Sequence, residues 1–280
     1  MFNIVEKTPS VSTDDMNFVC KFIQSESGVM LDASKLYLVE ARLGEIARRE
    51  NLLGASEVIN RLRLNPTMEY RRDVINAMTT NETSFFRDQS PFESLKTDIL
   101  PNLITARSNV RKLRIWSAAC STGQEAYSIA ILIREYFPKL SSWNIEIVGT
   151  DISTFVLNRA KQATFTQLEV NRGLPAMLLV KYFTQSGSDW VLKDDVKKLA
   201  TFRHFNLLTD LTVLGAFDLI FCRNVLIYFD IEAKRQILTQ MRTMLGRESS
   251  LFLGGAETVF NVVKGYARIQ TGKAVYYRPE

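Results

Sequence analysis

The sequence predicts an α/β fold, an open, mostly parallel, doubly wound sheet preceded by an all-helical domain. Three observations predict it. Apolar residues recur at helical spacing through the first 80 residues, where strand signals are scarce. After Pro91, short apolar runs alternate with helical stretches, the pattern of strand–helix–strand units. The 280 residues, 46% hydrophobic and 23% charged, suffice for two domains that each bury a core.

Each element has its own signal. Ser12 ahead of Thr13-Asp14-Asp15 reads as a capping-box start; Met16, Val19, Phe22 and Ile23 follow at helical spacing, and Gly28 is the stop. A second helix runs from about Ser34, with Leu36, Val39, Leu43 and Ile46 on one face. A third starts at Ser56 and ends at Asn65-Pro66; a fourth begins near Thr67 and carries Val74, Ile75 and Met78. Buried strands are expected over 112–119, 145–149, 216–222 and 250–254, separated by helices over 124–137, 152–162 and 231–246. The segment 166–203 breaks this alternation. Ser186-Gly187-Ser188-Asp189 is a turn signal between Val180–Phe183 and Trp190–Leu192, so a small antiparallel hairpin subdomain is expected there. The expected domains are 1–80 (helical), 81–90 (linker) and 91–280 (sheet, with its insert).

Composition excludes a disordered chain, a collagen-like rod and a disulfide-stapled miniprotein. Cys20, Cys120 and Cys222 have no metal-ligand spacing, so no metal site is predicted, and their odd number does not suit a disulfide framework. A reduced, cytoplasmic setting is expected. No run of about 18 apolar residues appears, and Met1 to Ser10 lacks an apolar core, so neither a membrane span nor a signal peptide is expected. Net charge is +5, but the first 90 residues hold 11 basic and 13 acidic side chains. The charges are interleaved and there is no basic tail, so an acidic protein partner fits as well as a nucleic acid.

Four segments carry chemistry. Ser117-Ala118-Ala119-Cys120-Ser121-Thr122-Gly123-Gln124-Glu125 follows the first strand and opens a helix. Small residues there let a ligand approach the backbone, and helix N-terminal N–H groups attract negative charge. Only Gly123 is glycine, with Ala119 and Ser121 at the other small positions; an ordinary tight turn fits the segment equally well. Gly149-Thr150-Asp151 ends the next strand, where an acid either accepts both ribose hydroxyls of a nucleoside or caps the following helix. In this order the two segments favour a nucleoside-containing cofactor. No G-x-x-x-x-G-K-[ST] and no strict G-x-G-x-x-G exist, which disfavours nucleoside triphosphate and NAD. S-adenosylmethionine has ribose and a sulfonium but no phosphate, so Glu125 and Asp151 suit it.

The third segment is Asn81-Glu82-Thr83-Ser84-Phe85-Phe86-Arg87-Asp88. Its Phe residues read as plugs of the interdomain core at a hinge. The planar fork of Arg87 suits either a substrate carboxylate or a structural salt bridge. The fourth is Phe221-Cys222-Arg223-Asn224-Val225-Leu226-Ile227-Tyr228-Phe229, at the carboxyl end of a strand, where open α/β sheets bind ligands. Asn206-Leu207, after the insert, is either a turn or another amide near the cofactor. Lone His204 reads as structural, and Cys120 and Cys222 as small core residues.

Taken in order, 81–88, 115–130, 149–153 and 217–230 closely resemble the bacterial chemotaxis receptor methyltransferase family, CheR, and the similarity extends to Gly254-Gly255-Ala256-Glu257. The resemblance implies a Rossmann-like S-adenosylmethionine-dependent methyltransferase sheet with an N-terminal helical domain and a β-subdomain insert. It implies methyl transfer to glutamate side chains of methyl-accepting chemotaxis receptors, giving glutamyl methyl esters and S-adenosylhomocysteine. The family's cofactor contacts fall on Asn81, Thr83, Arg87, Glu125, Asp151, Asn206, Leu207, Arg223 and Asn224, with Gly123 at the turn. Its two substrate-facing residues fall on Arg87 and Tyr228. Some members bind a receptor pentapeptide by strand addition to the insert. Here the hairpin turn Gln185–Asp189 is shorter and less glycine-rich, so a pentapeptide-independent enzyme is expected.

Arg42 and Arg49, seven residues apart with Arg48 beside them, form a helix face that either meets the acidic cytoplasmic helical bundle of a receptor or is merely solvated among Glu45 and Glu50. Two alternatives remain. A nucleic-acid methyltransferase would carry D/N-P-P-Y/F where Arg223-Asn224-Val225-Leu226 stands. A non-catalytic sensor of S-adenosylmethionine or S-adenosylhomocysteine would be expected to have lost Arg87 or Tyr228. A monomer is expected, as no long heptad pattern appears.

Overall fold

The computed structural model describes residues 10–280, except the Ala33 side chain. The expectation of no signal peptide concerns residues outside that range. The chain forms two compact units, one reaching to Thr80 together with Tyr228–Asp230, the other holding Asn81–Ile227 and Ile231–Glu280. Asn81–Asp88 therefore goes with the sheet unit, and Tyr228–Asp230 groups with the helices.

The helical unit has α1 (Thr13–Ser27), α2 (Leu36–Arg49), α3 (Ala55–Leu64) and α4 (Met68–Met78). Ser12 and Asp15 form the reciprocal capping box, and Gly28 ends α1 at φ 75°. Thr67 caps α4 through the Tyr70 N–H. A short 3-10 turn, Ala33–Lys35, precedes α2, its Ser34 N–H bonded to Asp32. Val19, Ile23, Val39, Leu43, Val58, Ile59 and Val74 bury the apolar faces into one core. The Tyr228–Asp230 segment joins this unit through the Met30 N–H to the Tyr228 carbonyl (2.7 Å) and Gln24 to Asp230 (3.3 Å).

The sheet unit carries β1 (Lys112–Ala118), β2 (Asn144–Asp151), β3 (Thr164–Thr166), β4 (Phe183–Ser186), β5 (Asp189–Leu192), β6 (Ala200–His204), β7 (Phe217–Cys222), β8 (Leu245–Leu253), β9 (Tyr266–Thr271) and β10 (Ala274–Pro279). The main sheet runs β6-β2-β1-β7-β8-β10-β9. The first five of these strands are parallel neighbours, and β10 pairs antiparallel with β8 and β9. Strand order reverses at β1, so the carboxyl edge around β1 is the topological switch point where such sheets bind ligands. The strands β7 and β1 and the helix Gln124–Tyr136 are almost wholly buried, as central parallel strands and their crossover require.

The insert is a separate sheet of order β3-β5-β4, both pairings antiparallel. Two boundaries are corrected. Val180 lies in the helix Ala176–Tyr182, not a strand, because Pro175 opens a helical turn whose Leu179 and Tyr182 are buried at i, i+3 spacing. Residues 200–203, expected in the insert, belong to β6 of the main sheet. That strand is exposed at alternate positions, and Thr201, Arg203 and His204 hide its strand signal.

Candidate active site

The site is built at the carboxyl edge of β1, β2, β6 and β7. After β1 the chain coils through Ala119 (φ 52°), Ser121 (φ 50°) and Gly123 (φ 93°) before entering the helix Gln124–Tyr136. Ala119 and Ser121 thus adopt the left-handed backbone that glycine supplies in a dinucleotide turn, at a cost in strain. Gly123 is required twice over. Its φ disfavours any side chain, and a Cβ would lie 3.1–3.2 Å from Ala160, Phe202 and Tyr127. The turn is pinned by Cys120 N–H to the Thr150 carbonyl (2.9 Å) and by the Ser121 hydroxyl to the Asn81 carbonyl (2.7 Å).

Asp151 ends β2 and is 7% exposed. One carboxylate oxygen accepts from Ser121 N–H and the other from Ser153 N–H, both at 2.9 Å. A carboxylate has about four acceptor sites, so Asp151 keeps acceptor capacity beyond these amides. Burial pushes its pKa up; the amides of Ser153, Ser121 and Ile152 and the nearby His204 pull the other way. Ser153, not Asp151, caps the helix Thr154–Gln162. Beside this site the Cys120 thiol is pushed well up by burial and by Asp151 and Glu125, so it stays protonated. His204 is exposed on the edge strand β6, paired in register with Asp151.

Glu125 accepts from the Ser117 hydroxyl (2.7 Å) and from Arg223 (3.0 Å). The Arg223 side chain is 2% exposed, and it also donates to Asp88 (2.7 Å) and to the Arg87 carbonyl (2.9 Å). One arginine therefore ties the end of β7 to the first turn of the β1 crossover helix and to the Asn81–Asp88 segment. Phe85 is fully buried, its ring edge-on to Phe165 (5.0 Å) and Phe183 (5.7 Å), so it plugs the core of the insert within the sheet unit rather than the interdomain core that the sequence suggested. Arg172 pairs with Glu82.

Arg87 is half-buried and makes one hydrogen bond, to the Glu82 carbonyl (3.2 Å), with no salt bridge among the described residues. Thr83 is half-buried, Leu207 is buried, and the Asn206 side chain accepts from Leu208 N–H (3.0 Å). Asn224 holds a left-handed φ of 57°. The sequence reading missed the parts of Ser117, Ser121, Asp88 and Glu257; only the acid just beyond the glycines after β8 gave a signal that could have been followed.

In the helical unit the three arginines of α2 divide their work. Arg42 is half-buried and donates to the Met78 (2.8 Å) and Thr79 (3.1 Å) carbonyls, closing the end of α4. Burial lowers its pKa, with opposing attraction from Tyr228 and Glu45. Arg49 pairs with Asp73 (2.5 Å) and Glu50 (3.4 Å) and is exposed. Arg48 is exposed and donates to the Gly44 carbonyl (3.4 Å).

The donor set fits S-adenosylmethionine. There is no run of backbone amides flanked by glycines to hold a diphosphate. Instead two carboxylates, Asp151 and Glu125, face a turn whose chemistry suits ribose and a cation. No group of three or more metal-ligating side chains occurs among the described residues, and none of their helices is long and apolar enough to cross a membrane.

Comparison with known proteins agrees. The family described as CheR methyltransferase, SAM binding domain, matches residues 81–275. Chemotaxis protein methyltransferase 1 of Pseudomonas aeruginosa is 38% identical over 274 residues, covering 96% of this chain and 99% of that one. Chemotaxis protein methyltransferase Cher2 of Pseudomonas putida is 37% identical, covering 92% and 94%. Chemotaxis protein methyltransferase 1 of Vibrio cholerae is 34% identical, covering 96% and 98%.

Proposed function

The chain belongs to the CheR methyltransferase family, and from that premise we propose that it methylates glutamate side chains of chemotaxis receptors, as a protein-glutamate O-methyltransferase. The methyl donor is S-adenosylmethionine, the product S-adenosylhomocysteine. The observation that carries the proposal is Arg87, a guanidinium with no salt bridge among the described residues, on the segment that Arg223 fastens to the cofactor turn. It is available to a carboxylate.

S-adenosylmethionine, when bound, supplies an electrophilic methyl group on a sulfonium. The two oxygens of Asp151 take the ribose hydroxyls, and Asn81, Thr83, Gly123, Glu125, Asn206, Leu207, Arg223 and Asn224 form the rest of the cofactor site. A glutamate has a reference pKa of about 4.3, so the nucleophile is already ionised near neutral pH and no general base is needed. The residues work by positioning. Arg87 orients the carboxylate, and Tyr228 hydrogen-bonds it or lines the methyl path. Arg87 must hold the carboxylate loosely, because ground-state stabilisation alone slows transfer.

The partner is the cytoplasmic helical bundle of a receptor, met by Arg48 and Arg49, with Arg42 fixing the end of α4 behind them. The short Gly187 turn between β4 and β5 supports a pentapeptide-independent enzyme. The protein acts as a cytoplasmic monomer, without nucleic acid and without inserting into the membrane. The test is incubation with radiolabelled S-adenosylmethionine and receptor-bearing membranes, with bare RNA in parallel. Label on receptor bands, lost with Arg87→Ala, is expected. Label on RNA alone, or full receptor turnover by Arg87→Ala, would overturn the proposal.

A further inference from the structure

The loop after β7 lacks its own ladder of backbone hydrogen bonds. Asn224, Val225 and Ile227 would each present an unpaired N–H there. All three donate to one side chain. Glu257 Oε2 accepts from Asn224 N–H (2.8 Å), and Oε1 accepts from Val225 (2.9 Å) and Ile227 (3.2 Å). Gly254 N–H adds a fourth bond, to Oε2 at 2.6 Å, and the Glu257 N–H returns one to the Gly254 carbonyl at 2.9 Å. A carboxylate has about four acceptor sites, and here backbone N–H groups fill them all. Such charge-assisted bonds are about twice as strong as neutral ones. With its oxygens saturated, Glu257 has no capacity left for substrate or cofactor.

The packing around it is equally tight. A Cβ on Gly254 would stand 2.7 Å from Glu257 Oε2 and 2.8 Å from both nitrogens of Asn224. Asn224 itself sits at φ 57°, a conformation that asparagine tolerates but that its neighbours must hold. Arg223, one residue earlier, carries the ion pair to Glu125. The carboxylate thus fixes the path of the chain from Asn224 to Ile227.

We infer that Glu257 is a positioning residue for S-adenosylmethionine: its carboxylate, borne on the loop after β8, clamps the loop after β7 and sets Asn224 against the cofactor. The inference rests on the proposed role of Asn224 as a cofactor contact.

The test measures S-adenosylhomocysteine affinity by calorimetry, apart from receptor methylation, with Glu257→Gln, Glu257→Asp and Gly254→Ala. Glu257→Gln replaces one acceptor oxygen by a donor, so two N–H groups lose their partner. The expected result is a roughly 10- to 100-fold weaker Kd with a matching rise in KM for S-adenosylmethionine. Glu257→Asp, which keeps both acceptors, recovers part of it, and Gly254→Ala reproduces the loss. A folded Glu257→Gln with wild-type Kd and KM would overturn the inference, whatever its thermal stability. Should Glu257→Gln fail to fold, amide hydrogen exchange of the wild-type chain decides. Saturating S-adenosylhomocysteine slows Asn224, Val225, Ile227 and Gly254 together if the inference holds, and leaves them unchanged if it does not. A chain that binds S-adenosylhomocysteine but methylates no receptor defeats the proposed function and leaves this inference standing.

Discussion

Replacing Arg223 by Met strands a carboxylate. Met fills the volume of the arginine stem but removes the bonds to Glu125, Asp88 and the Arg87 carbonyl. The Glu125 side chain is only 13% exposed and would be left with the Ser117 hydroxyl alone. Breaking a buried pair by removing one partner costs about 3–5 kcal/mol. Asp88 is 51% exposed, so its arm adds at most about 1 kcal/mol. The lost bond to the Arg87 carbonyl adds about 1 kcal/mol. The expected loss is therefore about 4–7 kcal/mol, most of it from Glu125. Urea denaturation followed by tryptophan fluorescence reads this directly, because all three Trp residues (Trp116, Trp143 and Trp190) lie in the sheet unit. Glu125→Gln in the same background neutralises the stranded charge and should restore about 1–3 kcal/mol, the usual size of coupling between contacting residues. A loss below about 1 kcal/mol, or no recovery in the double variant, would refute the reasoning.

Other outcomes follow from the same geometry. Burial raises the Asp151 pKa, so the protonated carboxyl contributes stability that is fully present below the unfolded pKa and is lost as pH rises through the folded one. In the proposed cofactor site the ionised form is the one that accepts the ribose hydroxyls. S-adenosylhomocysteine affinity should therefore fall as pH drops through a midpoint above the ordinary Asp range, and calorimetry of Asp151→Asn should show weaker binding without that midpoint. Gly149→Ala would put a Cβ 2.5 Å from the Phe202 ring, and overpacking of about 1–3 kcal/mol should appear in thermal unfolding. Ser12→Ala removes the cap of α1 and should cost about 0.5–2 kcal/mol, read by circular dichroism of the helical signal.

What the sequence made legible was local. The cap at Ser12, the stop at Gly28 and the N-cap at Thr67 are written in single residues, and the strands at 112–118 and 217–222 in uninterrupted apolar runs. The edge strand β6 was not legible, because exposure on one side leaves Thr201, Arg203 and His204 where a buried strand would show apolar residues. The β9–β10 hairpin escaped for the same reason, with Arg268 and Gln270 alternating against its buried face. At the site, Asp151 and the Ala119–Gly123 turn were readable from their position after strands. The partners that fix the turn and the β7 loop were not, because Asn81 meets Ser121 across 40 residues and Glu257 meets Asn224 across 33. Arg42 looked like part of a docking face because helix periodicity places it there, but it says nothing of the α4 carbonyls that hold its guanidinium.

The measurement that bears most directly on the whole account is the base-lability of the transferred methyl group. Receptors labelled by this protein with radioactive S-adenosylmethionine should release volatile methanol in mild base, as glutamyl methyl esters do. Label that survives base on the same receptor bands would mean transfer to nitrogen, and would contradict the proposed transfer to an ionised carboxylate.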